Sequence, residues 1–230
     1  MLLKLFYIYF RKILTQWQLG DKKWLKIGFI IMFEAAEYLG IVAFALSGFS
    51  TAAKNHLDLL GVLIAVFLTA LGGGILRDII VSTTPYTFSH TAPALVVFIV
   101  LILLILFKVH RRDSIENKPY FILSDSVGLV SFSITGALVA LDHGFNFTGV
   151  VVVSFTAAVG GGILRDVIIN EVPFIFKTGF YGTVSLVVGS LVYILDRLDI
   201  ISPINIAIIF VIGVSLRVIA YYKKWSIPLK

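Results

Sequence analysis

The stretch Leu71-Gly72-Gly73-Gly74-Ile75-Leu76-Arg77-Asp78 decides how this chain folds. It returns 88 residues later as Val159-Gly160-Gly161-Gly162-Ile163-Leu164-Arg165-Asp166, with only its first residue changed. Each copy places three glycines and an Arg-Asp pair inside an apolar run long enough to cross a bilayer. Charge within hydrocarbon is costly and is usually kept for a function. A repeated motif of this kind is typical of a membrane pathway built from internal repeats.

The composition favours a membrane protein. The 230 residues are 59% hydrophobic and 14% charged, whereas an ordinary soluble domain is about a quarter charged. The net charge of +6 comes from basic residues in short connections between apolar runs, which is a topology signal of membrane proteins. No zinc-ligand spacing or RNA-binding sequence indicates a nucleic-acid partner. We therefore expect an all-α polytopic protein surrounded by membrane lipids, and nothing implies a soluble protein partner.

The sequence does not indicate an enzyme. Cysteine is absent, and the four histidines are scattered at the ends of apolar runs, so no metal site is expected. There is no Ser-His-Asp arrangement, no His-Glu-x-x-His and no phosphate-binding loop. We predict no catalytic residues, no bound metal and no cofactor.

Seven apolar runs are candidates for membrane spans, each near the required length of about 20 residues. They cover residues 33–53, 58–81, 91–109, 120–141, 147–170, 179–196 and 202–221. The basic loop 108–118 and the basic carboxyl terminus lie on one predicted side, which we expect to be cytoplasmic, with the core amino terminus outside. The predicted location is the bacterial inner (plasma) membrane.

The repeat is wider than the glycine motif. Residues 37–85 and 125–173 align without a gap and share 18 of 49 positions. Because each copy contains three spans, an odd number, the second must enter the membrane from the opposite side. The predicted domains are an amino-terminal extension, two inverted three-helix repeats and a seventh transmembrane helix: 1–32, 33–110, 119–197 and 202–222. The extension is either an interfacial amphipathic helix or the result of a mis-assigned start upstream of Met32.

Three consecutive glycines mark a point where a helix can bend or where another backbone comes very close. A pathway-lining role is favoured over pure helix packing, and the two roles are compatible. Other glycines of the repeat are predicted to be packing positions, namely Gly40, Gly48, Gly128 and Gly136.

The charged residues of the two motifs need partners inside the membrane. Neighbours on a helix point about 100° apart, so we expect Arg77 to pair with Asp166, and Arg165 with Asp78. The equivalent carboxylates Glu37 and Asp125 either line a vestibule or cap a helix start, and capping or interface placement is the favoured interpretation.

These residues resemble a known family. Phe44-Ala45-Leu46-Ser47-Gly48, the Ala70–Asp78 motif and their second-half copies are similar to the bacterial branch of the trimeric intracellular cation (TRIC) channel family, over about 33–221. The same bacterial proteins are also described as carrying a glycine-transporter domain. The resemblance implies a homotrimer with seven transmembrane helices per subunit. It also implies one pore per subunit, lined by the second and fifth transmembrane helices. These are the helices that carry Gly72–Gly74 and Gly160–Gly162, and the resemblance implies that they are kinked at those motifs. Glu37 stands where the bacterial motif usually has Asp.

The resemblance implies a channel for monovalent cations, chiefly potassium, and a transported potassium or sodium ion as the only bound group. A carrier for glycine or a similar small zwitterion is the alternative. The candidate pore or substrate-binding residues are Gly72, Gly73, Gly74, Arg77, Asp78, Gly160, Gly161, Gly162, Arg165 and Asp166. The candidate vestibule or gating residues are Glu37, Ser47, Asp125 and Thr135.

Overall fold

The computed structural model of the chain describes residues 23–107 and 119–225, with side chains from residue 31 onward. All the regular structure in these ranges is α-helical. The nine helices described are α1 Lys23–Lys54, α2 Leu59–Ile80, α3 Tyr86–Ser89, α4 Ala92–Leu106, α5 Pro119–Asp142, α6 Phe147–Ile168, α7 Phe174–Lys177, α8 Tyr181–Arg197 and α9 Pro203–Tyr222. Most of the predicted extension, residues 1–22, lies outside the described residues.

Seven of these helices occupy the positions of the seven predicted spans. Five of them are long and apolar enough to cross a membrane, namely α1 from Ile31 onward, α2, α5, α6 and α9. Helices α4 and α8 are shorter, at 15 and 17 residues. The chain is thus a multi-pass membrane protein, and the count of seven spans stays a prediction. Helix α1 begins at Lys23, ahead of the predicted start at 33.

The two copies of the repeat begin their central helices in the same way. The Asp58 carboxylate accepts a hydrogen bond from the backbone N–H of Gly61 at 2.7 Å, and the Asn146 side chain accepts one from Gly149 at 2.9 Å. Each side chain satisfies an amide that the first turn of a helix leaves without a partner. Helices α2 and α6 therefore start at matched positions in the repeat.

The two copies also end these helices in the same way. Ser82 and Asn170 adopt left-handed backbone conformations, with φ of 60° and 58°. The backbone N–H of the next residue donates a hydrogen bond to an earlier carbonyl. In the first copy Thr83 donates to Asp78 at 2.9 Å, and in the second Glu171 donates to Asp166 at 2.8 Å. This is the hydrogen-bond pattern of a Schellman turn, which turns the chain sharply after the charged motif.

The glycine motifs form the crossing between α2 and α6. A Cβ atom on Gly73 would collide with the carbonyl oxygen of Ala157, and one on Gly161 would lie 2.5 Å from that of Thr69. A Cβ on Gly72 would lie 3.2 Å from the Cα of Gly161. The predicted close approach of two backbones is therefore observed. Both helices continue unbroken through the glycines, and a bend of their axes there stays a prediction.

The other glycines of the repeat pack as predicted. A Cβ on Gly40 would lie 2.9 Å from that of Ser131, and one on Gly48 would lie 2.6 Å from the Thr69 hydroxyl. A Cβ on Gly136 would lie 2.9 Å from that of Ala157, and one on Gly128 would overlap the ring of Phe44. Because a larger residue would force these helices apart, the glycines bring the polar residues of α1, α2, α5 and α6 into reach of one another.

Candidate functional site

Arg77 is the centre of a polar cluster at the end of α2. It is 3% exposed. One terminal nitrogen donates to Glu37 Oε2 at 2.7 Å and to Thr135 Oγ1 at 3.2 Å, while Nε donates to Asp78 Oδ1 at 2.8 Å. Two carboxylates from the first half and a hydroxyl from the second thus surround one guanidinium. Such charge-assisted hydrogen bonds compensate for taking the charge out of water.

The predicted ion pairs between the two repeats are wrong. Arg77 pairs with Asp78, its neighbour in sequence, and Arg165 pairs with its own neighbour Asp166 at 2.7 Å. The angle of about 100° between adjacent helix positions does not prevent this contact, because the long arginine side chain folds back along the helix surface.

The two aspartates of the motifs hold the following turn in place. The second oxygen of Asp78 accepts the backbone amide of Tyr86 at 2.9 Å, and that of Asp166 accepts the amide of Phe174 at 2.7 Å. These amides open the short helices α3 and α7. Since both oxygens of each aspartate bind protein donors, Asp78 and Asp166 position the arginines and the turns.

Glu37 lines a pocket and does not cap a helix. It lies well inside α1, far from the first turn, so the capping interpretation was wrong. The pocket is also lined by Gly74, Arg77, Tyr86 and Pro93, and its volume is about 10 Å³, which is close to the space that one water molecule needs. Gly74, the third glycine of the motif, differs from the first two. The nearest atom to a Cβ placed on it would be the side-chain oxygen Glu37 Oε1, at 3.4 Å, and not a backbone atom.

Asp125 occupies the equivalent place in the second half, and its surroundings are different. It also lies inside a helix and is 4% exposed. Its Oδ1 accepts hydrogen bonds from Ser47 Oγ at 3.2 Å and from the Tyr181 hydroxyl at 3.3 Å. Its Oδ2 is buried without a partner among the described residues. Asp125 is one methylene group shorter than Glu37, and it makes no hydrogen bond to Arg165 among those that the structure describes.

Each half therefore contributes a hydroxyl to the cluster of the other half. Thr135 of α5 binds Arg77, and Ser47 of α1 binds Asp125. These two hydroxyl residues are equivalent in the repeat, and both are fully buried. The candidate vestibule residues thus form two related clusters, one with Arg77 and one with Asp125.

Sequence reasoning missed Arg217. It lies in α9, outside both repeats, and it is 0% exposed. No nitrogen of its guanidinium has a hydrogen-bond partner among the described residues. The guanidinium carbon lies 4.7 Å from the ring centre of Tyr181, 5.7 Å from that of Tyr221 and 6.0 Å from that of Phe174. A lone arginine within the seventh apolar run was the signal in the sequence that pointed to it.

An exposed ion pair joins the turn after α6 to the end of α7. Lys177 Nζ lies 2.7 Å from Glu171 Oε2. The hydrogen bond and the charge of Lys177 lower the pKa of the Glu171 carboxyl from its ordinary value. Among the described residues, no group of three or more His, Cys, Asp or Glu side chains could hold a metal ion.

Comparison with known proteins places this architecture among bacterial membrane proteins. The profile of a family described as "Glycine transporter" matches the chain twice, at residues 34–109 and 122–197. The UPF0126 membrane protein YvgT of Bacillus subtilis is 31% identical over 195 residues, which cover 85% of this chain and 95% of that protein. The two profile matches are separated by the same interval as the two glycine motifs.

Solved structures of TRIC cation channels share the fold. One such structure, which describes the structural basis for conductance through these channels, is 34% identical to this chain with a TM-score of 0.75. The match covers 86% of this chain and 97% of the chain in that structure. The TRIC trimeric intracellular cation channel orthologue from Rhodobacter sphaeroides is 25% identical with a TM-score of 0.77, covering 84% and 98%.

Proposed function

The chain belongs to the family described as "Glycine transporter" and shares its fold with solved TRIC cation channels, and we therefore propose that it is a channel for monovalent cations, chiefly potassium. The chain is an integral multi-pass membrane protein of that family and not an enzyme. The observation that carries the proposal is a buried polar cluster beside a small pocket, set where the long apolar helices α1, α2 and α5 meet.

The proposed path runs between α1, α2, α5 and α6. At one end Glu37 and Gly74 line the pocket. Of the two carboxylates in this cluster, Glu37 accepts fewer hydrogen bonds from protein donors. Its Oε2 binds Arg77, whereas both oxygens of Asp78 bind protein donors. Buried Thr135 and Ser47 continue the polar surface toward the second cluster at Asp125. Oxygen atoms of this kind replace part of the water that a cation loses.

The proposal includes a larger architecture that rests on the family. It comprises a homotrimer with one pore per subunit, seven spans, two inverted repeats at 33–110 and 119–197, and a seventh helix at 202–222. The name of the Rhodobacter sphaeroides relative as a trimeric channel supports the trimer. The odd number of spans per repeat supports the inversion, and the basic loops support a cytoplasmic carboxyl terminus in the bacterial plasma membrane.

The size of the pocket favours a channel over a glycine carrier. A volume of about 10 Å³ admits one particle the size of a water molecule. A potassium ion without its hydration shell is of similar size, whereas the glycine zwitterion has five non-hydrogen atoms. A carrier would need a larger closed site for its substrate.

Ion flux into liposomes that contain the purified protein tests the proposal. We expect potassium flux without saturable glycine uptake. Glu37→Gln removes the negative charge that this cluster has in excess and leaves Arg77 balanced by Asp78 alone, so potassium flux falls by about tenfold or more. Glu37→Asp keeps the charge and retains most of the flux. Glu34→Gln is the matched control, because Glu34 lies one turn away on α1 and outside the pocket.

Two results would contradict the proposal. One is saturable, counter-flowing glycine uptake with no potassium flux, which would identify a carrier. The other is wild-type potassium flux through the Glu37→Gln variant at an unchanged melting temperature. In that case the passage would not run past Glu37.

A further inference from the structure

The two polar clusters are equivalent in the repeat, yet the residues beside their carboxylates differ. Subtracting 88 from the second-half numbers pairs Asp125 with Glu37 and Tyr181 with Pro93. Glu37 and Pro93 both line the first-half pocket. In the second half, Tyr181, which is larger than Pro93, stands at the equivalent position in the sequence, and it is 5% exposed. The position that helps to line the first-half pocket is therefore taken in the second half by a buried aromatic residue whose hydroxyl binds Asp125.

The charges of the two clusters differ as well. The first cluster combines two carboxylates, Glu37 and Asp78, with the guanidinium of Arg77. The second combines Asp125 and Asp166 with Arg165, and α9 adds a second guanidinium. That group belongs to Arg217, which interacts electrostatically with Asp125. The first cluster thus has a formal excess of one negative charge, which attracts a cation, and the second is balanced.

Arg217 and Asp125 are complementary groups with unused hydrogen-bonding capacity. The guanidinium has no acceptor, and Asp125 Oδ2 has no donor, among the described residues. Tyr181 connects them, because its ring lies 4.7 Å from the guanidinium carbon and its hydroxyl donates to Asp125 Oδ1 at 3.3 Å. A cation that lies against the faces of aromatic rings is attracted by the rings and is not fixed in place by directional hydrogen bonds. Arg217 can therefore shift without breaking a hydrogen bond.

We infer that Arg217 is a tethered cation that closes the second-half end of the permeation path. This inference rests on the proposed function. The guanidinium supplies the positive charge that a passing potassium ion would otherwise bring to Asp125, and the ring of Tyr181 fills the space that such an ion needs. The helix outside the repeat thereby makes the two ends of the path unequal: the first-half pocket takes a cation, and the second-half end opens when Arg217 moves away.

Potassium flux through an Arg217→Gln variant in liposomes tests this role. We expect the initial flux to rise by about tenfold, because one repelling charge is removed from the path. The double variant Asp125→Asn with Arg217→Gln, which keeps the cluster neutral, should also exceed the wild type. Arg197→Gln is the matched control and should leave the flux unchanged. Arg197 also stacks on a tyrosine, 4.8 Å from the ring centre of Tyr193, but lies at the end of α8.

Flux at or below the wild-type rate in both variants, at unchanged melting temperatures, would overturn the inference. Anomalous diffraction from wild-type crystals in rubidium chloride gives a test that does not depend on variant folding. No rubidium is expected within coordinating distance of Asp125, and a rubidium ion bound there would also overturn the inference. If neither the wild type nor the Arg217→Gln variant passes potassium, the proposed function itself has failed. Flux in the wild type without an increase in the variants counts against the role of Arg217 alone.

Discussion

The crossing of α2 and α6 allows a stability prediction with an internal control. Substituting Gly73 by alanine places a Cβ on the carbonyl oxygen of Ala157, so the two helices must separate by about 1 Å to restore a normal contact. The obstructing atom belongs to the backbone and cannot rotate away. We therefore take the upper end of the overpacking range, about 3 kcal/mol. Alanine regains about 1 kcal/mol of helix propensity over glycine, which leaves a net loss of about 2 kcal/mol.

Gly162→Ala is the matched control, since it makes the same substitution in the second copy of the glycine motif. A Cβ there would meet only a terminal nitrogen of Arg165, at 3.9 Å. This variant should keep the helix-propensity gain of up to about 1 kcal/mol.

Thermal unfolding of the purified protein in detergent measures both effects. At about 2–4 °C per kcal/mol for a chain of this size, Gly73→Ala should melt about 4–8 °C below the wild type. Gly162→Ala should melt at or slightly above the wild-type temperature. The interpretation of the crossing would be refuted if Gly73→Ala melted like the wild type, or if the two variants were equally destabilised.

Two further predictions concern the two ends of α6. Asn146→Ala removes the side-chain acceptor for the amide of Gly149 and should cost about 1 kcal/mol in detergent unfolding, whereas an unchanged melting temperature would argue against the cap. Glu171→Gln breaks the exposed pair with Lys177. Because that pair lowers the pKa of Glu171 below 4.5, its contribution to stability is present above pH 4.5 and is lost as the pH falls through the lowered value. The melting difference between this variant and the wild type should therefore disappear in acid, and a difference that persists there would contradict the assignment.

The helices were largely predictable from the sequence because membrane spans are governed by local rules. Apolar runs must be long enough to cross the hydrocarbon, and turns must break them. The predicted span 120–141 corresponds to α5, Pro119–Asp142, and 202–221 corresponds to α9, Pro203–Tyr222. The four-residue helices α3 and α7 were missed. Each depends on an aspartate eight residues earlier in the chain, which accepts the amide of Tyr86 or Phe174.

The partners of the charged residues could not be predicted in the same way. The expected pair of Arg77 with Asp166 rested on helix angles, and a flexible arginine side chain is not confined by them. Besides its neighbour Asp78, Arg77 binds Glu37, which is 40 positions earlier on another helix. The distance between these two residues is decided by how closely α1 and α2 pack, and that depends on glycines such as Gly48, which lies against Thr69.

By itself, the sequence determined that the chain is a helical membrane protein with a duplicated glycine and Arg-Asp motif, because hydrophobicity and repetition are properties of the chain alone. The tertiary structure decided which carboxylate oxygens bind protein donors and which line a pocket. It placed Glu37 beside a pocket, occupied both oxygens of Asp78, and brought Arg217 of α9 to the ring of Tyr181. The physical reason is that an ionisable group in a membrane is defined by its neighbours within a few ångströms, and those neighbours come from helices that are distant in sequence.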